Sequence, residues 1–156
     1  MRPTFGLLVI LVTSLAASAQ QYASRSEREL FTALNQERQA QGLAALRWNF
    51  ALAEAARRHA QLMVDHQSIS HQFAGEGSLP ARCTKAGVSF LALAENVAEA
   101  PSASEIHTMW MHSPGHRANI LDANMDSVGI AVLERDGEYY AVEDFSKAKQ
   151  QSASGN

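Results

Sequence analysis

In the first half of the chain, apolar residues recur every three or four positions, the spacing of a helix with one buried face. The first such segment begins at a Ser-x-x-Glu capping box, covers about residues 26–41 and is ended by Gly42. The second and more regular segment follows Asn49, a favourable N-cap residue. Shorter helices are predicted after three further N-cap serines, Ser78, Ser102 and Ser113.

The last third of the chain alternates apolar with small or polar residues, as strands with one buried face do. Residues 128–132 and 139–142 flank an Asp136-Gly137 turn, so they predict a β-hairpin. A mixed apolar segment over residues 91–97 is consistent with a further short strand. Because helices come first and the hairpin last, without regular alternation, we predict an α+β fold with a small antiparallel sheet.

The two ends of the chain differ in composition from the middle. Arg2, an apolar run over residues 5–12 and small residues ending at Ala19 predict a secretory signal peptide over residues 1–19. A retained anchor is the alternative, but the run falls short of the roughly 20 apolar residues that cross a bilayer. We therefore expect a secreted or periplasmic protein without a membrane span, one domain over residues 20–146, and a disordered polar tail over residues 147–156.

Charge and cysteine content narrow the function classes. The net charge of −3 becomes −4 when Arg2 leaves with the signal peptide, so the chain lacks the positive surface that binds nucleic acid. Cys83 is the single cysteine, which excludes an intramolecular disulfide. A small buried apolar role fits Cys83 better than a nucleophilic one. We expect a monomer.

Three polar residues are candidates for chemistry: His71 in a polar loop, Glu95 beside Asn96, and His116 at the start of a short helix. Two imidazoles and a carboxylate suit Zn²⁺ or a similar divalent ion with one position open for water. The same residues also suit a buried hydrogen-bond network, or the polar floor of a ligand groove. In a third interpretation His116 activates Ser113 or a water, with Glu95 orienting it as in a catalytic triad.

Several motifs resemble the bacterial branch of the CAP superfamily, the domain shared by cysteine-rich secretory, antigen 5 and pathogenesis-related 1 proteins. They occur in family order over about residues 30–145: Asn-Gln-Glu-Arg at 35–38, Ile-Ser-His at 69–71, Ala-Glu-Asn at 94–96 and Ser-Pro-Gly-His-Arg-Ala-Asn-Ile-Leu at 113–121. The resemblance implies a three-layer α-β-α sandwich. It also implies a central cleft lined by two histidines and two acids, of which His71, Glu95 and His116 match three. Ser113 stands where many eukaryotic members carry the second acid, which leaves Glu76 or His112 as nearby substitutes.

Family members mostly bind ligands, including sterols and lipids, or interact with hosts or cell envelopes, and some are described as metal-dependent or proteolytic. The resemblance therefore implies a binding or cell-envelope module whose ligand is a divalent metal, a lipid, a peptide or an envelope component. The predicted cleft residues are His71, Glu95, His116, Ser113 and Asn96. No cofactor is required, and Zn²⁺ on His71 and His116 is the candidate ion. The alternative is a metal- or Ser/His-dependent hydrolase acting on envelope peptides or esters.

Overall fold

The computed structural model describes residues 23–149, and the predicted signal peptide lies outside them. Helices and strands follow in the order α1 (Arg25–Ala40), β1 (Arg47–Trp48), α2 (Phe50–His66), α3 (Leu79–Lys85), β2 (Phe90–Ala100), α4 (Ala103–His112), α5 (Pro114–Ile120), β3 (Ser127–Arg135) and β4 (Glu138–Ala148). The helix starts agree with the sequence signals. Ser24 and Glu27 form a capping box on α1, and Asn49 accepts hydrogen bonds from the first turn of α2.

The four strands form one sheet in the order β1-β3-β4-β2. β4 pairs antiparallel with both neighbours, whereas the two-residue β1 pairs parallel with β3. The hairpin between β3 and β4 turns at Asp136 and Gly137, whose φ angles of 56° and 87° match the turn predicted from the sequence. β1 was not predicted, because two residues are too few to show an alternating pattern.

Helices cover both faces of the sheet, which confirms the α+β class and the three-layer sandwich. One face carries α1, α4 and α5 around a core that includes the fully buried Trp110 and Phe145. The other face carries α2 and α3. α2 crosses so close to β3 that a Cβ on Gly129 would lie 2.0 Å from the backbone nitrogen of Ala53. Within residues 23–149, no helix is both long and apolar enough to cross a membrane.

Two strands extend further than expected. β2 covers eleven residues instead of the short segment predicted over residues 91–97. β4 continues through Lys147 and Ala148, two residues beyond the predicted domain end at 146, so the tail prediction is wrong for these two positions. Asp126 explains the extension, because it accepts a hydrogen bond from the backbone of Ala148 at 3.1 Å and lies 3.6 Å from Lys147 Nζ.

Candidate functional site

The loop between α2 and α3 places His71 beside Glu95 of β2. His71 Nδ1 lies 2.9 Å from Glu95 Oε1. The Glu95 side chain is only 3% exposed, whereas the His71 side chain is 62% exposed. In the neutral ring, Nδ1–H donates to the carboxylate and leaves Nε2 as an acceptor. The pair therefore presents one oriented imidazole to solvent.

On the buried side of this pair, Arg82 of α3 contacts both His71 and Glu95. Its Nη2 forms an ion pair with Glu95 Oε2, and its Nη1 donates to the backbone oxygen of His71 at 3.0 Å. Arg82 and Glu95 are both buried, so their charges are little screened by water. α3 itself begins with Pro80 in its first turn and is followed by Gly87 at a φ of 88°, as the sequence indicated. One side chain thus fixes both the carboxylate and the loop that bears the imidazole.

α5 brings His116 to the same place. Asn96 Nδ2 donates to the backbone oxygen of His116 at 3.2 Å, while Asn119 Nδ2 donates to the backbone oxygen of Glu95 at 3.3 Å. Burial lowers the pKa of His116, and the nearby His71 lowers it further. Both effects favour the neutral form of the His116 ring. These contacts tie α5 to β2 beside Glu95, with His71 near enough to His116 to influence its pKa.

Two predicted cleft residues have other roles. Asn96 is fully buried and binds Asn119, Glu143 and the backbone of His116, so it anchors α5 from within. Ser113 occupies the N-cap position of α5, but its side chain makes no capping hydrogen bond. The Ser113-His116-Glu95 triad, the third of the interpretations above, is not formed. Within the described part of the chain, the Glu95 carboxylate bonds to His71 and Arg82 and not to His116.

Neither candidate substitute for the missing acid enters the site. Glu76 accepts hydrogen bonds from His59 Nδ1 at 2.7 Å and from the backbone of Phe73 at 3.0 Å. This contact also makes His59 a fully buried, hydrogen-bonded core residue. His112 is exposed, and its Nδ1 lies 2.7 Å from the backbone oxygen of Thr108.

Sequence reasoning missed two buried acids next to the site, Glu143 and Asp144 of β4. Burial raises the pKa of Glu143 to about 8, against an opposing hydrogen bond from Asn96. Burial also raises the pKa of Asp144 well above its usual range, and the neighbouring Glu95 raises it further. Glu143 is therefore mostly protonated near pH 7, and burial favours the neutral form of Asp144 as well. The available signal was a Glu-Asp pair inside an otherwise apolar strand, where an ionised side chain would be costly.

The site does not fit a divalent metal well. Zn²⁺ takes at least three protein ligands in known catalytic sites and four in structural ones. His71 and His116 supply two nitrogens, and both oxygens of Glu95 are already engaged. The positive charge of Arg82 beside Glu95 also opposes a cation. Over residues 23–149, no group of three or more His, Cys, Asp and Glu side chains is arranged to hold a metal.

Cys83 follows Arg82 on α3 and packs in the core with Leu52, Ala55 and Val88. Burial, mainly, and the neighbouring acidic residues raise the pKa of its thiol to about 12, while Arg82 opposes the shift. The thiol therefore stays protonated and is a poor nucleophile, which agrees with the role predicted for it.

Known proteins share this fold. The chain is 33% identical over 123 residues to the uncharacterized protein YkwD of Bacillus subtilis, an alignment that covers 78% of this chain and 48% of YkwD. An extracellular protein containing an SCP domain from Bacillus anthracis superposes with a TM-score of 0.73 at 25% identity, over 78% of this chain and 40% of that one. An outer surface protein of Borrelia burgdorferi superposes with a TM-score of 0.74 at 22% identity, over 80% of this chain and 93% of that one.

The chain spans about half the length of YkwD and less of the Bacillus anthracis protein. The similarity therefore concerns one domain of these relatives. The family model for the cysteine-rich secretory protein family, CAP, matches residues 31–145. This chain belongs to the CAP superfamily, in its bacterial SCP-domain form.

Proposed function

We propose that this protein acts outside the cytoplasm as a non-catalytic binding module, with His71 and His116 as its contact residues. The observation that carries the proposal is the chain of contacts from Arg82 through Glu95 to His71. A buried ion pair holds an exposed ring in one orientation, which is the pre-organisation that a binding site needs. Export is supported by the predicted signal peptide and by relatives described as extracellular or outer surface proteins.

The ligand class follows from the hydrogen-bonding capacity of the two rings. In its neutral form, with Nδ1–H donating to Glu95, His71 has Nε2 free as an acceptor, and the lowered pKa of His116 favours its neutral form. Neutral acceptors bind hydrogen-bond donors, and amide N–H groups are the commonest donors on a peptide. The flanking Ser70 and Gln72 are polar, which favours a peptide over an acyl chain. We infer that the ligand is a peptide of the cell envelope.

Titration with soluble stem peptides from peptidoglycan, followed by NMR of the histidine ring signals, tests this proposal. We expect shifts of the His71 and His116 signals that saturate, and a loss of binding in His71→Ala and His116→Ala. His112→Ala is the matched control, because its exposed ring bonds to Thr108 and not to the site. Ring signals that do not respond, or equal binding by all three variants, contradict the proposal.

The same samples test the absence of turnover. Mass spectrometry after prolonged incubation should recover the stem peptides intact. Cleavage that disappears in His116→Ala would establish a hydrolase and overturn the binding proposal. The structure favours the first result, because no hydrogen bond in residues 23–149 links the Glu95 carboxylate to His116.

A further inference from the structure

A cavity lies between α2, α3 and the turn that precedes α3. Its volume is about 360 Å³, and none of His71, Glu95 and His116 lines it. Arg82 forms part of its wall, so the same side chain that holds Glu95 also borders this cavity. Its size is at the lower end of the range for small-molecule sites, roughly 300–1,000 Å³.

Positive charge dominates the lining of this cavity, although the whole chain is acidic. Arg58 of α2 and Lys85 of α3 are exposed cations, and Arg82 is a buried one. Glu76 is the single acid among the lining residues in the described part of the chain, and it is already bound by His59 and Phe73. Arg58 also pairs with Glu54 at 2.9 Å, but both side chains are largely exposed. Such a surface pair is weak, so a bound anion can replace Glu54 as the partner of Arg58.

Arg82 contributes buried positive charge to the cavity wall. Its Nη groups bind Glu95 and the backbone oxygens of His71 and Gly77. Its buried Nε lies 3.6 Å from Glu76 Oε1, an ion-pair distance, so Glu76 balances part of its charge. The cations of the lining that are open to a ligand are therefore Arg58 and Lys85. The backbone of Gly75 and Gly77 also lines the cavity without side chains, so a ligand can approach it closely.

We propose that this cavity binds the phosphate group of a small organic phosphate. Arg58 of α2 and Lys85 of α3 supply exposed cations, and a phosphate with three terminal oxygens and up to two negative charges can bind both. A carboxylate carries a single negative charge and therefore binds the two cations less strongly. The cavity also contains the methyl groups of Ala55 and Ala81, which suit the carbon skeleton of a phosphomonoester. The proposal does not rest on the peptide proposed at His71, although Arg82 borders both places.

Isothermal titration calorimetry of the full chain with glycerol 3-phosphate tests the proposal, with inorganic phosphate and acetate as parallel titrants. We expect a Kd of about 1 mM or below for glycerol 3-phosphate and weaker binding of acetate. Arg58→Ala/Lys85→Ala should weaken phosphate binding by about tenfold, because two exposed charges are removed from the site. Arg47→Ala is the matched control, since Arg47 is an exposed cation on β1, at the edge of the sheet opposite to β2, and does not line the cavity.

Each outcome decides the proposal. Phosphate binding that falls in the double variant and persists in Arg47→Ala supports it, and unchanged melting temperatures show that the fold is intact. No heat with any phosphate, or equal heats from acetate and phosphate, overturns it. Phosphatidylglycerol vesicles separate a lipid headgroup from a soluble ligand. Co-sedimentation with these vesicles, without binding of glycerol 3-phosphate, would indicate surface attraction to a membrane and would also overturn the cavity proposal.

Discussion

Glu95 lies directly opposite Asp144 in the pairing of β2 with β4, so two buried acidic residues face each other on neighbouring strands. Burial and the charge of Glu95 both raise the pKa of Asp144, whereas Arg82 opposes the shift. Arg82 forms its ion pair with Glu95 and not with Asp144, and burial favours the neutral form of Asp144. The contact between Arg82 and Glu95 is also the one that keeps the His71 ring in place.

Removal of Arg82 should be the most damaging change at the site. Arg82→Met leaves the buried carboxylate of Glu95 without its partner, and breaking a buried pair in this way costs about 3–5 kcal/mol of stability. Lys85→Met on the same helix is the control, because Lys85 is exposed and should change the free energy of unfolding by less than about 0.5 kcal/mol. Urea denaturation at pH 7 compares them. Equal free energies of unfolding for the two variants would show that the ion pair between Arg82 and Glu95 does not stabilise the fold.

Asp144→Asn should stabilise the protein at pH 7. The fold raises the pKa of Asp144, chiefly by burial, so the folded state loses free energy at pH 7 that an amide does not lose. We expect a higher free energy of unfolding in the variant than in the wild type. Asp65→Asn, an exposed change on α2, serves as the reference in the same denaturation experiment. A clear loss of stability in Asp144→Asn would mean that the site needs the second negative charge.

Glu143 makes stability depend on pH. Its pKa is about 8 in the fold and 4.5 ordinarily, so the unfolded chain binds fewer protons between these values. The contribution of Glu143 to the free energy of unfolding is complete below pH 4.5 and is lost as pH rises toward about 8. Over this range the free energy of unfolding falls by at most about 1.4 kcal/mol per pH unit. Glu143→Gln should flatten the profile of unfolding free energy between pH 5 and pH 8, while the exposed Glu134→Gln should not. Parallel profiles for wild type and Glu143→Gln would contradict the raised pKa.

Most of the fold could be predicted from the sequence because its signals are local. The capping hydrogen bonds of Ser24 and Asn49 and the Asp136-Gly137 turn involve only residues a few positions away in the chain. β1 and the end of β4 could not be predicted, since their pairing depends on contacts with residues distant in the chain. Asp126 contacts Lys147 and Ala148 of β4 from about twenty positions away in the chain, so no local sequence pattern predicts these contacts.

The candidate site was predicted only in part. The motifs that resemble the CAP superfamily identified His71, Glu95 and His116, but not which residues bond to each other. The side chains that define the charge of the site, Arg82 and Asp144, lie on α3 and β4 and carry no motif of their own. Their role comes from burial next to Glu95, which is a property of the tertiary structure.

The zinc hypothesis can be tested through stability. A ligand that binds only the folded state raises its stability by about 2.7 kcal/mol at a concentration of 100 times its Kd. Because His71 and His116 supply only two nitrogens and Arg82 neutralises Glu95, we expect micromolar ZnCl₂ to leave the melting temperature unchanged, and EDTA to have no effect. Differential scanning calorimetry measures both. A saturable rise in melting temperature that disappears in His71→Ala and in His116→Ala, but persists in His112→Ala, would instead establish a metal site between the two rings.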